Sequence, residues 1–170
     1  MTPHWRTALP ADAPAIAALA RAELGDYGEA AALYAERIEL APDGCRVFAD
    51  DDTVVGHCIS HPWRRFAPPA MHAMLGTIPV DADCWYLHDV VIARQGRGRN
   101  AVEHLLPDLC ATARGHGIAT LALIAVGGAD RYWTRLGFAA APGGADGFGA
   151  GALYMERPAY VFGSIVSSHD

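Results

Sequence analysis

The segment Trp85–Leu106, WYLHDVVIARQGRGRNAVEHLL, decides how the rest of the chain is read. It opens as an apolar run, Trp85, Tyr86 and Leu87 followed by Val90, Val91 and Ile92, with the polar pair His88 and Asp89 in its middle. A turn rich in glycine and arginine follows, Arg94 to Asn100. Beyond it Ala101, Leu105, Leu109 and Ala113 recur every four residues, the period of one helix face. Strand, glycine turn and helix in that order present backbone N–H groups to a phosphate at a helix N-terminus. On simple strand alternation His88 shares a face with Tyr86 and Val90, and Asp89 points to the other.

Bulk properties narrow the class. The chain has 170 residues, enough for one domain with a substantial core. Apolar residues make up 52% and charged residues 19%, which excludes a disordered chain. No apolar run approaches the roughly 20 residues of a membrane span. The first residues, MTPHWRTALPADAP, show neither a basic n-region nor an apolar h-region, so the expected location is cytoplasmic, with no membrane partner. A net charge of −6 argues against nucleic-acid binding and mildly favours a cationic partner. Cys45, Cys58, Cys84 and Cys110 are widely spaced with no C-x-x-C pair, and read as reduced core thiols.

Along the chain, Trp5 to Ala8 reads as a first strand and Asp12 as the N-cap of a helix over about 13–24, buried along Ile16, Leu19, Ala20 and Leu24. A second helix is expected over about 28–39, with Leu33 and Ile38 inward. Cys45 to Ala49 and Thr53 to Ser60 form a hairpin pattern. From His61 to Asp83 the periodicity dissolves into a long, proline-containing connection, of the kind that carries function. Thr120 to Val126 is an apolar strand of the sort buried on both faces. A short helix at about 129–136 and closing strands from Phe138 and over Leu153 to Arg157 complete the pattern. The expectation is one domain over 1–162, with 163–170 a loose tail.

Two phosphate-binding readings compete for Gly96 to Ala101. Read literally, the segment matches the dinucleotide fingerprint G-x-G-x-x-G/A. That reading demands an acidic residue about 20 positions on, and none stands in the apolar segment 118–126. A Walker A loop is excluded because no G-K-[ST] follows. The alternative rests on several segments at once. Gln95-Gly96-Arg97-Gly98-Arg99-Asn100 resembles the [Q/R]-x-x-G-x-[G/A] pyrophosphate loop of the GNAT N-acetyltransferases, departing from it at Asn100. Tyr86-Leu87-His88-Asp89 and Ser60-His61-Pro62-Trp63 resemble the L-H-D-L-A-V and S-H-P-W segments of one bacterial subgroup. Tyr132 to Phe138, YWTRLGF, resembles the family's [YF]-[YW]-x-x-L-G-F ending.

The resemblance implies an α/β fold with a mixed, mostly antiparallel central sheet flanked by helices on both faces. It implies an acetyl-CoA-dependent N-acetyltransferase that moves the acetyl group directly to a small-molecule amine in a ternary complex, with coenzyme A the co-substrate and no metal. The pyrophosphate would sit on the amides of about Gly96 to Ala101, with Gln95 opening the loop and Arg94, Arg97 and Arg99 as cationic candidates. Pantetheine would pair with the backbone of Val90, Val91 and Ile92, against a wall that includes Trp133. His88 is the candidate base. An alkyl ammonium has a pKa near 10.4, so only about one amine in a few thousand is free at pH 7, and a histidine suits its deprotonation. Tyr132 is the candidate acid for the departing thiolate, with water the alternative; many relatives place a tyrosine where Trp133 stands. Glu23, Asp26, Glu29, Trp63 and Phe66 are candidate walls of the acceptor pocket. A metal on His57, His61 and His88 lacks any recognisable ligand spacing. A homodimer is common in such a family. The rival function is a CoA-thioester sensor or scaffold without turnover.

Overall fold

A computed structural model describes residues 2–160; the tail expected at 163–170 lies outside them. Strand β1 (His4–Thr7) leads into helices α1 (Ala13–Leu24) and α2 (Ala31–Leu40), then strands β2 (Cys45–Asp50), β3 (Thr53–Trp63) and β4 (Cys84–Ile92). Helix α3 (Ala101–Gly115), β5 (Thr120–Ala125), α4 (Asp130–Arg135), β6 (Ala139–Ala140) and β7 (Leu153–Pro158) follow. The strands form one seven-stranded sheet in the order β1-β2-β3-β4-β5-β7-β6. Every pairing is antiparallel except β4 with β5, a parallel pair joined through α3. The sheet is thus mixed and mostly antiparallel, with helices on both faces, as expected.

The two faces have separate cores. On one, Leu105, Leu109 and Ala113 of α3 and Trp133 of α4 pack on Trp85, Leu87, Leu121 and Leu123. On the other, Ile16 and Ala20 of α1 and Tyr34 and Ile38 of α2 pack on Cys45, Val47 and Ile59. β3 and β4 lie between these layers, and both are buried along most of their length.

Some boundaries differ from the sequence reading. Asp12 does not cap α1 with its side chain; its carboxylate instead binds Arg6 at 2.8 and 2.9 Å and the Leu9 amide at 2.8 Å. α2 begins at Ala31, because a 3-10 turn (Gly25–Tyr27) and an extended stretch intervene. Its buried side chains are Tyr34, Arg37 and Ile38, with Leu33 only half-buried. β3 runs on to Trp63, so the long connection spans 64–83. No helix among the described residues is long and apolar enough to cross a membrane.

Candidate active site

The site is built on an irregularity in β4. Opposite β3, Ile59 faces Asp89 and Ser60 faces Leu87, which leaves His88 as one extra residue. A bulge of this kind turns neighbouring side chains to one side and bends the strand. His88 and Asp89 therefore do not take opposite faces: His88 reaches Glu29 just before α2, and Asp89 reaches Tyr34 within α2. Beyond the bulge, Val90 and Ile92 pack with the α3 core, and Val91 is buried on the opposite side.

β4 and β5 pair only from Trp85–Leu121 to Leu87–Leu123. Past the bulge they diverge, and a cavity opens on each side of the gap. The first, about 170 Å³, lies on the α1–α2 side against Leu24, Tyr27, Glu29, Met71, Tyr86 and His88. The second, about 410 Å³, lies on the α3 side against Ile92, Gly98, Asn100, Ala101 and Tyr132. Val90, Ala129 and Trp133 line both, so the two cavities meet through the sheet.

A buried polar network forms the floor of the first cavity. Gly28 makes it possible, since a Cβ there would stand 2.8 Å from the backbone of α1 at Ala20 and Arg21. That close approach folds Glu29 inward. Its carboxylate accepts from His88 Nε2, lies 3.4 Å from the guanidinium of fully buried Arg37, and accepts the His72 amide at 2.8 Å. The Tyr34 hydroxyl accepts the Glu29 amide at 3.2 Å and donates to Asp89 at 2.7 Å, and His57 Nε2 meets the same Asp89 oxygen at 3.0 Å. Burial pushes both carboxyls up, but their partners outweigh it. The hydrogen bond and charge of His88, with Arg37 and the His72 amide, hold Glu29 below its ordinary range. His57, Tyr34 and the charge of His88 do the same for Asp89.

An ionised Glu29 can only accept, so the proton shared with His88 sits on Nε2. His88 Nδ1 is buried and has no partner among the described residues. His61, its ring 5.8 Å from that of His88, is pushed down to about 3 by burial and by the nearby charge of His88. His57, His61 and His88 do not converge on a metal: their bonded nitrogens face Asp89, the Pro62 carbonyl and Glu29.

The second cavity takes in the glycine turn. Arg94–Gly96 closes as a 3-10 turn in which the Gly96 amide donates to Ala93 at 2.8 Å and the Arg97 amide to Arg94 at 3.2 Å. Those two amides, at the start of the expected donor set, already have backbone partners in this structure. From Gly98 to Glu103, by contrast, no amide donates to a partner among the described residues. Gly98 (φ +80°) and Asn100 (φ +51°) both adopt the left-handed conformation that turns this segment into α3, and asparagine tolerates it better than other side chains.

Of the other expected cofactor residues, Val90, Ile92, Gly96, Arg97, Gly98, Asn100, Ala101 and Trp133 line the second cavity. Val91, Gln95 and Arg99 do not line it; Gln95 and Arg99 are exposed, as is Arg94. Arg97 is drawn toward α1 by Glu23 at 2.8 Å. Tyr132 also faces the second cavity, its phenol pushed up to about 12 by burial and then by Glu103. It does not line the cavity that holds His88.

Of the five expected acceptor-pocket residues, Glu29 alone lines the first cavity. Glu23 is held by Arg97, Trp63 donates to the Ala67 carbonyl, and Phe66 stacks on Tyr154. Asp26 contributes its backbone carbonyl, which meets the His72 ring. Tyr34 and Arg37 were not singled out from the sequence, and His57 was weighed there only as a metal ligand. One signal was there: Arg37 lies on the buried stripe of α2 with Tyr34 and Ile38, and a charge in that position requires a partner.

By sequence, no curated protein matches the chain. Among solved structures, Ard1 from Thermoplasma volcanium superposes with a TM-score of 0.70 at 16% identity, covering 93% of this chain and 98% of the other. The GNAT-like decarboxylase GphF in complex with isobutyryl-CoA gives 0.69 at 18% identity, with 92% and 99% covered. The GNAT family N-acetyltransferase YhbS from Escherichia coli, in complex with CoA, gives 0.58 at 19% identity, with 94% and 82% covered. These likenesses concern the fold. The model of the acetyltransferase (GNAT) family matches residues 13–138, from α1 through the YWTRLGF segment, and the chain belongs to that family.

Proposed function

We propose that the protein transfers an acetyl group from acetyl-CoA directly to the amine of a small molecule in a ternary complex. The observation that carries this reading is the meeting of the two cavities at Val90, Ala129 and Trp133. The cavity at the start of α3 offers the open amides of Gly98 to Glu103 to a pyrophosphate, with about 0.3–1 kcal/mol of helix-dipole assistance. CoA-bound GNAT relatives of the same fold support that ligand. The pantetheine arm would follow Val90 to Ile92 and bring the thioester to the gap.

The amine would approach from the other side. His88 Nδ1, directly or through a water, accepts one proton from the ammonium, and the freed lone pair attacks the thioester carbonyl. The tetrahedral adduct then collapses: the C–S bond breaks to release the CoA thiolate, and the nitrogen gives up its second proton to solvent. Tyr132 or water returns a proton to sulfur. All four cysteines are buried, and none lines either of these two cavities. Burial pushes the thiols of Cys45 and Cys84 up to about 12, which leaves no thiolate to carry an acyl-enzyme intermediate. The first cavity suits a compact amine with an apolar body. Leu24, Tyr27, Met71 and Ile124 are among its walls, and its two carboxylates are already neutralised by internal partners.

The test is CoA release with a panel of amines and varied acetyl-CoA. Intersecting initial-rate patterns with a small apolar amine are expected. Parallel patterns would contradict direct transfer. Tight acetyl-CoA binding with no turnover on any amine would favour a CoA-thioester sensor.

A further inference from the structure

Glu29 does more than touch His88. Its Oε1 accepts from His88 Nε2, whereas its Oε2 accepts the His72 amide at 2.8 Å, from the middle of the 64–83 connection. The same stretch is tied down on either side of that bond. Arg37 donates to the Ala73 carbonyl at 3.2 Å, and the Glu36 carboxylate accepts the amides of Leu75 and Gly76 at 2.7 and 3.0 Å. The His72 ring meets the Asp26 carbonyl at 3.0 Å, and Pro69 and Met71 of this connection close the first cavity. One carboxylate therefore holds both the imidazole and the segment that roofs it.

We propose that Glu29 is the positioning residue of the reaction: it fixes His88 as the Nε2–H tautomer, and it links that state to docking of residues 71–76 over the acceptor. This rests on the base role proposed for His88. With Nε2–H committed to Glu29, Nδ1 carries the lone pair that takes the amine's proton. The imidazolium so formed faces the Glu29 carboxylate, and its proton passes to solvent once product leaves. The other charged or titratable groups around the imidazole are accounted for. Arg37 is bound to Glu29, His61 on β3 is neutral at pH 7, Tyr86 flanks the ring, and Asp89 is held by Tyr34 and His57. Glu29 is thus the carboxylate in direct contact with His88 among the described residues.

Two measurements on the full chain test this. Nitrogen-15 NMR of the histidine rings, with His88 assigned by comparison with His88→Gln, is expected to show the Nε2–H tautomer. Glu29→Gln is expected to shift His88 toward a mixture and to speed hydrogen exchange at the His72 amide. An Nδ1–H tautomer in the parent protein would overturn the proposal, and this readout needs no turnover. In kinetics, Glu29→Gln is expected to lower kcat at least about tenfold with the KM for acetyl-CoA unchanged. Its acid limb in kcat/KM is expected at lower pH, because the imidazolium has lost its counter-charge. Glu29→Asp, which keeps the charge, is expected to return that limb toward the parent position. A fall in kcat with no movement of the limb in the folded Glu29→Gln protein would mean a merely structural role and would overturn the proposal. If no amine is acetylated even by the parent protein, the transferase reading fails, and the NMR result alone decides the role of Glu29.

Discussion

Replacing Tyr34 by phenylalanine removes one oxygen atom that joins two halves of the buried network. The hydroxyl donates to Asp89 at 2.7 Å and accepts the Glu29 amide at 3.2 Å. A hydrogen bond to a charged group contributes about 1.5–3 kcal/mol, and a buried amide left without a partner costs about 1–3 kcal/mol. The longer amide contact belongs at the low end, and phenylalanine keeps the ring packing on Ile16 and Ile59, so a loss of about 2–4 kcal/mol is expected at neutral pH. For a chain of this size that lowers Tm by about 5–15 °C. The pH dependence carries the sharper signature. Asp89 has a folded pKa below its ordinary value, so it contributes stability that is present above about pH 3.9 and is lost as the pH falls through the folded value. Losing Tyr34 raises that folded value, so the difference between parent and variant is expected to be widest at neutral pH and to narrow on acidification. Urea unfolding at several pH values, with the m-value checked for constancy, measures both. A loss under about 1 kcal/mol, or a difference independent of pH, would refute the reasoning.

Three further outcomes are expected. Gly98→Val places a β-branched residue at φ +80° where an added Cβ meets nothing within 4 Å, so the fold should persist while acetyl-CoA affinity, read by calorimetry, falls at least about tenfold. His88→Ala should cost about 10²–10⁴-fold in kcat with acetyl-CoA affinity unchanged; an unaltered rate at every pH would remove the base assignment. His61 is held neutral, with its pKa pushed down to about 3, whereas an unfolded histidine titrates near 6.5. Its contribution to stability is therefore complete above about pH 6.5 and is lost as the pH falls toward the folded value, with a ceiling of about 5 kcal/mol. His61→Phe should flatten that acid slope, measured by Tm between pH 7 and pH 4.

The parts of the fold that were readable in the chain are those fixed by local pattern. The run from Trp85, the glycines at 96 and 98 and the four-residue spacing of Ala101, Leu105, Leu109 and Ala113 place β4, the turn and α3 with no distant information. Asn100 stood out in the sequence only as a departure from the resemblance; its positive φ, which asparagine tolerates better than most side chains, is what the structure adds. The polar network was beyond that reach. Its members come from positions 29, 34, 37, 57, 88 and 89, and their meeting depends on how α2 lies across β3 and β4. Glu29 was one of several acidic residues ahead of α2. What separates it from Glu23 and Asp26 is the close packing of Gly28 on α1, a tertiary fact.

The bulge at His88 shows most clearly how a local rule fails here. Strict alternation puts His88 and Asp89 on opposite faces, and either arrangement satisfies an apolar strand with two polar residues at its centre. One inserted residue changes three things together. It turns Asp89 into the α2 side, where Tyr34 and His57 can keep it ionised despite its burial. It leaves His88 lining the cavity, its side chain about 10% exposed, instead of packed between strands. It also coincides with the end of the β4–β5 pairing, past Leu87 and Leu123, where the sheet opens. A bulge disrupts the ladder and bends its strand, so the same insertion that orients the imidazole also helps part the strands between the two cavities. An uninterrupted β4 could not do both. It would send either His88 or Asp89 into the apolar core of α3, where Leu105 and Leu109 offer neither residue a hydrogen bond.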